Sequence, residues 1–123
     1  MKFLDNYAEH TYAIFRIVAG FLFLCHGTQK IFDFPIAFSW DLNPMSTAAA
    51  IIELVGGAMI IVGLYCRYAA FLSSGTMAVG YWMFHGLNAP FPMANGGELA
   101  ALYCFAFLFI AAKGPGIWSI NTK

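Results

Sequence analysis

The sequence predicts an all-α integral membrane protein, a four-helix bundle with up-down-up-down topology. Of its 123 residues, 61% are hydrophobic and only 10% are charged, and the mean hydropathy is +0.72. The apolar residues are grouped in runs of about 20, the length of a membrane-spanning helix. A soluble domain carries roughly a quarter of its residues as charged side chains. Six basic and six acidic residues are too few to cover the surface of a protein in water. We therefore expect a lipid bilayer to cover most of the surface of this protein.

Four apolar runs are separated by segments that contain proline, asparagine, glycine and charge. The second connection, Cys66 to Tyr68, is so short that the second and third helices should form a tight antiparallel hairpin. All five prolines lie outside the runs, where a missing amide donor does no harm. The chain is therefore predicted to be one domain, residues 1–123, with helices over about 12–31, 47–66, 68–87 and 97–112, the last of them short for a full span.

The basic residues set the orientation, because lysine and arginine concentrate on the cytoplasmic side of a membrane protein. Five fall on one side of the predicted bundle and only Lys30 on the other, which places both termini in the cytoplasm. The first apolar run ends without a small-residue cleavage site, so we expect it to be retained as the first helix. These features predict a multi-pass protein of the bacterial cytoplasmic (inner) membrane. The five residues on the cytoplasmic side are Lys2, Arg16, Arg67, Lys113 and Lys123.

Charge and cysteine usage exclude several classes of function. The net charge is zero and there is no basic run, so nucleic acid is not expected as a partner. Cys25, Cys66 and Cys104 are widely spaced within or beside apolar runs. They are interpreted as small buried hydrophobic residues and not as a disulfide framework or a redox pair.

Five ionisable side chains lie in or beside the apolar runs and need an explanation, because each costs about 2.5–3.5 kcal/mol to insert near the centre of a bilayer. The antiparallel helix order places all five toward the outer side of the membrane. If they point inward, they can share one polar chamber. They are His26, Lys30, Glu53, His85 and Glu98.

Glu53 is the deepest acid in the chain and requires a basic partner such as Lys30 or a histidine. It shares a helix face with Ala49 and Gly57, and small residues allow neighbouring helices to approach closely. We therefore expect Glu53 at a helix contact, in a polar network or a functional role.

Structural explanations remain open for the other polar residues. Glu98 follows Asn95-Gly-Gly, so Asn95 is a candidate N-cap with Glu98 as its capping-box partner. Lys30 and Arg16 can extend to the lipid headgroups, and each histidine can be a packed hydrogen-bonding residue. Two histidines and two carboxylates can also bind a metal, but the Glu-x-x-His pairing of helical-bundle metal sites is missing, and no metal site is assigned.

Several motifs are spaced along the chain. In the first helix they are Arg16-Ile-Val-Ala-Gly20 and His26-Gly-Thr-Gln-Lys30, and in the second Glu53-Leu-Val-Gly-Gly57 followed by Gly63-Leu-Tyr-Cys-Arg67. The closing motifs are Asn95-Gly-Gly-Glu98, Lys113-Gly-Pro-Gly116 and Trp118-Ser119. In this order the motifs resemble those of the DoxX family of small membrane proteins. The resemblance extends over nearly the whole chain and implies a four-helix membrane bundle.

The resemblance also implies a functional hypothesis, because DoxX members are linked to membrane oxidoreductases, including a subunit of a thiosulfate:quinone oxidoreductase. A quinone or small reductant would then bind among the five polar residues named above, with Glu53 and His26 relaying protons. No flavin, haem or iron–sulfur motif is visible and no covalent cofactor is implied, so electrons would come from a protein partner or from a substrate that reacts directly with quinone.

Two further hypotheses remain open, and the sequence alone does not decide whether the chain is an enzyme. The first is a non-enzymatic scaffold or binding module of an oxidative-stress or other membrane complex, in which the polar residues hold the bundle together. The second is small-solute transport, which with four helices would require a homo-oligomer.

Overall fold

A computed structural model describes residues 1–38 and 42–123, and this part of the chain is helical without any strand. Residues 39–41, in the first predicted outer loop, lie outside the described part. The elements are α1 (Lys2–Asp5), α2 (Ala8–Phe32), α3 (Pro44–Val62), α4 (Cys66–Tyr81), a π-helical turn (Trp82–Gly86), α5 (Pro92–Asn95) and α6 (Glu98–Lys113). The prediction of an all-α chain is confirmed.

Helix α3 begins three residues earlier than predicted because Asn43 caps it. The Asn43 side chain accepts a hydrogen bond from the amide of Ser46 at 2.8 Å, which satisfies one of the free N–H groups of the first turn. Pro44 therefore lies inside the helix and not in the preceding loop. It occupies the first position, where a missing amide hydrogen costs nothing.

The predicted connection between the second and third long helices is wrong by three residues. Helix α3 ends because Gly63 adopts the left-handed conformation, with φ 71°, and the amides of Gly63 and Leu64 both bond to the carbonyl of Met59. The connection is therefore residues 63–65, and Cys66 is the first residue of α4. Glycine is the usual residue at such a helix end because it has no Cβ to clash.

Consecutive long helices run antiparallel, and glycines bring two of them into close contact. A Cβ added to Gly27 on α2 would lie 2.8 Å from the amide nitrogen of Leu54 on α3. Helix α4 packs against α6, where the Ser74 hydroxyl donates to the carbonyl of Cys104 at 2.7 Å. Between α3 and α4 the close approach is at Gly56, whose added Cβ would lie 2.9 Å from Ser73 Oγ.

Aromatic rings fill the centre, while other large apolar side chains point outward. Phe23 is fully buried against Phe107, with ring centroids 4.7 Å apart. In contrast, Phe21, Phe71 and Phe105 are 54%, 66% and 67% exposed. Helices α2 and α3 are long and apolar enough to cross a membrane, with mean hydropathy 1.3 and 2.0 over their most apolar windows. Helix α4 is 16 residues long and is continued by the five-residue π-helical turn.

Arg16 does not extend to headgroups, the explanation left open by the sequence, because its side chain is fully buried. The guanidinium donates to five backbone carbonyls. Two belong to the end of α3, and three belong to the segment after α6. The acceptors are Ile60 at 3.0 Å, Ile61 at 3.3 Å, Ile117 at 2.9 Å, Trp118 at 2.6 Å and Pro115.

The segment that follows α6 is bound to the same end of the helices. The Tyr12 hydroxyl donates to the carbonyl of Gly114 at 2.6 Å, and the amide of Ile120 donates to the carbonyl of Val62 at 3.0 Å. Arg67 donates to the carbonyls of residues 111–113 at the end of α6. The start of α2, the α3–α4 connection and the C-terminal segment therefore form one end of the molecule.

Candidate functional site

A groove of about 1070 Å³ opens between α3 and α4. The two helices approach each other closely at Gly56, where an added Cβ would lie 2.9 Å from Ser73 Oγ. Gly75 and Gly80 face this space, since a Cβ added at either would meet no atom within 4 Å. Glycine at these two positions leaves part of the groove wall without side chains.

The groove is apolar along most of its length and has polar groups toward both ends. Its walls come mainly from residues 45–52 of α3 and 68–80 of α4, and Arg67 lines it at the end near the α3–α4 connection. At the other end, which we call the polar end, α2 contributes His26, Gln29 and Lys30, and the π-helical turn contributes His85. A π-helical turn shifts the side chains that follow it relative to a continuous α-helix, and such turns occur frequently at functional sites.

Lys30 and Glu53 form an ion pair, as expected for the deepest acid in the sequence. The distance from Lys30 Nζ to Glu53 Oε1 is 2.5 Å. The Glu53 side chain is 2% exposed, whereas that of Lys30 is 19% exposed and lines the groove. The pair therefore connects the groove to the interior, and it leaves that region with little net charge.

Three buried polar atoms have no hydrogen-bond partner among the described residues: Glu53 Oε2, Ser73 Oγ and the Tyr103 hydroxyl. Ser73 contacts α3 at Gly56, about one turn from Glu53. Tyr103 packs edge to face against His26, with ring centroids 5.9 Å apart. Unpartnered buried polar groups are costly, which marks these three atoms as candidates for a functional role.

His85 contacts the end of α5, the short helix that precedes α6. Its Nδ1 lies 3.1 Å from the backbone carbonyl of Asn95. Asn95 is itself fixed, since its side chain accepts from the amide of Gly97 and donates to the Tyr81 hydroxyl and the carbonyl of Ala89. The His85 ring is therefore oriented by a hydrogen-bond network centred on the buried Asn95.

The structure brings four of the five sequence-predicted residues into one region and leaves Glu98 apart. Glu98 is the exposed first residue of α6 and does not line the groove. The capping-box explanation is also wrong, because Gly97 is the N-cap and no side chain caps this helix. As an acid in the first turn, Glu98 interacts favourably with the helix dipole.

Sequence reasoning missed Asn95 as the support of His85, and it missed Ser73 and Tyr103 in the interior. Asn95 was noticed only as a helix cap. Ser73 and Tyr103 gave no signal, because serine and tyrosine are common in membrane helices. Within the described residues, no group of three or more His, Cys, Asp or Glu side chains is arranged to hold a metal ion.

Comparison with known proteins gives a family match and a relative that aligns over the whole chain. The family model of DoxX matches residues 11–86, more than half of the chain. An uncharacterized protein of Haemophilus influenzae is 39% identical over 130 residues, and the alignment covers all of this chain and 97% of the relative. No solved structure gives a significant match.

Proposed function

The chain belongs to the DoxX family, and on this premise we propose that it is a quinone-binding subunit of the bacterial cytoplasmic membrane that acts with a redox partner. The observation that carries the proposal is the groove between α3 and α4, which is apolar along its walls and has a charged pair and two imidazoles at one end.

A four-helix bundle in the bilayer is part of the proposal. The exposed apolar side chains of α2, α4 and α6 suit contact with lipid. The end of the molecule that holds Arg16, Arg67 and Lys113 suits the cytoplasmic face, because basic residues concentrate there. Both termini would then be cytoplasmic, and the polar end of the groove would lie toward the outer face.

The groove matches a quinone in shape and chemistry. Ligand sites are concave and mostly apolar, with a few polar groups that fix orientation. An isoprenoid tail fits the apolar walls, and the Lys30 ammonium can donate a hydrogen bond to a quinone carbonyl. The Lys30–Glu53 pair is internally neutralised, which favours a neutral head group over the phosphate of a lipid.

The polar residues also supply protons, which quinone reduction consumes. A quinone that takes up two electrons and two protons becomes a quinol. In the proposed function the electrons come from the partner protein. The protons reach the bound oxygen atoms through Lys30 and His26 at the groove, and Glu53 exchanges protons with Lys30 inside the bundle. This chain thus provides the binding site and the proton donors, and the partner provides the electrons.

The quinone content of the protein purified in mild detergent tests this proposal. The Gly75→Phe/Gly80→Phe double variant fills the groove, and Gly75→Ala/Gly80→Ala is its matched control, since added Cβ atoms there meet nothing. We expect nearly stoichiometric quinone, oxidised and reduced forms counted together, in the wild type and the alanine control and a loss of several-fold in the phenylalanine variant. Trace quinone in all three would refute the proposal and favour the scaffold hypothesis.

A further inference from the structure

We infer that the polar end of the groove selects the reduced, hydroxyl-bearing form of its ligand over the oxidised form, and that His85 makes this selection. The inference rests on the proposed function and goes beyond it, because it assigns the redox state that the site prefers and the residue that distinguishes the two states.

The first step is the protonation pattern of His85. A backbone carbonyl can only accept a hydrogen bond, so the contact between His85 Nδ1 and the carbonyl of Asn95 at 3.1 Å requires the hydrogen on Nδ1. In the neutral ring Nε2 is then the acceptor. Within the described residues Nε2 has no hydrogen-bond partner, and the His85 side chain lines the groove.

The second step is the rigidity of this arrangement. Asn95 is 8% exposed, and its side chain makes three hydrogen bonds, at 2.8 Å from Gly97 N, 3.0 Å to Tyr81 Oη and 3.1 Å to Ala89 O. The carbonyl that fixes the His85 tautomer is therefore held by a residue that cannot easily move. In proteins, the hydrogen bond made by one ring nitrogen of a histidine commonly determines which nitrogen carries the proton and which one acts as the base.

The third step is complementarity. Lys30 presents N–H donors and His85 presents an acceptor at the same end of the groove. A quinol has hydroxyl groups that can donate to His85 Nε2 and accept from Lys30, whereas a quinone has carbonyls that can only accept. With a quinone bound, the acceptor on His85 is left without a donor. A site that pairs with a hydroxyl binds an analogue that lacks the hydroxyl less tightly.

Binding of three ligands to the purified wild-type protein tests the inference without redox chemistry. They share one decyl tail and differ only in the head, which is a quinol, the corresponding quinone or the dimethyl ether of the quinol. We expect the quinol to bind roughly tenfold more tightly than the other two, as for one lost hydrogen bond. In His85→Phe, which keeps a ring of similar size, we expect the three affinities to become equal within about twofold.

The outcomes separate this inference from the proposed function. Equal binding of quinol, quinone and dimethyl ether by the wild type would overturn the selection by His85, while the quinone site itself would stand. Preference for the quinol that persists in His85→Phe would also overturn it. Failure of all three ligands to bind would overturn both the inference and the proposed function.

Discussion

The five hydrogen bonds of Arg16 allow the stability of its end of the molecule to be tested by a single substitution. Arg16→Lys keeps the positive charge, but an ammonium has three N–H donors and no planar fork. Five carbonyls accept from Arg16, so at least two of them lose their donor. Each buried polar group left unsatisfied costs about 1–3 kcal/mol. We expect the free energy of unfolding to fall by about 2–6 kcal/mol.

Arg67→Lys is the matched control. Arg67 is exposed and donates to three carbonyls, those of residues 111–113, and a lysine can satisfy three acceptors or leave them to water. We therefore expect a change of only about 0.5 kcal/mol. The two substitutions change the same side chain in the same way and differ in burial and in the number of acceptors.

Unfolding by sodium dodecyl sulfate from mild-detergent micelles, followed by helical circular dichroism, measures both variants. Carboxypeptidase digestion under folding conditions adds a local measurement, since three of the five acceptors belong to the C-terminal segment. We expect faster trimming of that segment only in Arg16→Lys. Equal losses of stability in the two variants, or unchanged trimming in Arg16→Lys, would show that the buried guanidinium does not hold this end together.

Three further predictions concern helix contacts, the ion pair and orientation. Gly27→Ala is expected to lower the free energy of unfolding by about 1–3 kcal/mol, because the added methyl group overpacks the contact with α3. Gly75→Ala, whose added Cβ meets open space, is expected to leave the free energy of unfolding unchanged or to raise it. Equal effects of the two substitutions would contradict the close approach of α2 and α3 at Gly27. In a double-mutant cycle of Glu53→Gln and Lys30→Met, we expect a coupling of about 0.5–3 kcal/mol, and additive losses would argue against the pair. A reporter enzyme fused to the C-terminus that is active only in the cytoplasm is expected to be active, and an inactive reporter would reverse the proposed orientation.

The sequence predicted the helical class and the positions of the long helices because composition and run length are strong signals in an apolar chain. The pairing of Glu53 with a basic residue was also predictable, because a deep carboxylate is too costly without one. The helix ends were less predictable. Asn43 and Gly63 set the two ends of α3 through local capping, which the hydropathy pattern does not show.

The features that the sequence did not predict depend on tertiary contacts, which have no sequence signature. Arg16 looked like a residue near a helix end, and only the return of the C-terminal segment turns it into a buried donor. Glu98 lies on the correct side of the molecule but on an exposed face of α6, and the direction of one residue in the first helical turn cannot be predicted from its spacing. His85 was noticed, but its contact with Asn95 depends on the π-helical turn.

The central claim, that the groove between α3 and α4 binds a quinone, is tested most directly by photolabelling in native membranes. A photoreactive quinone with an azide on its head group would be illuminated in membranes that contain the protein, and the labelled peptides would be mapped by mass spectrometry. We predict labels near residues 26–30 and 80–85 that are removed by excess unlabelled quinone. Labels spread over the exposed apolar surfaces of α2 and α6, with no competition, would contradict the claim.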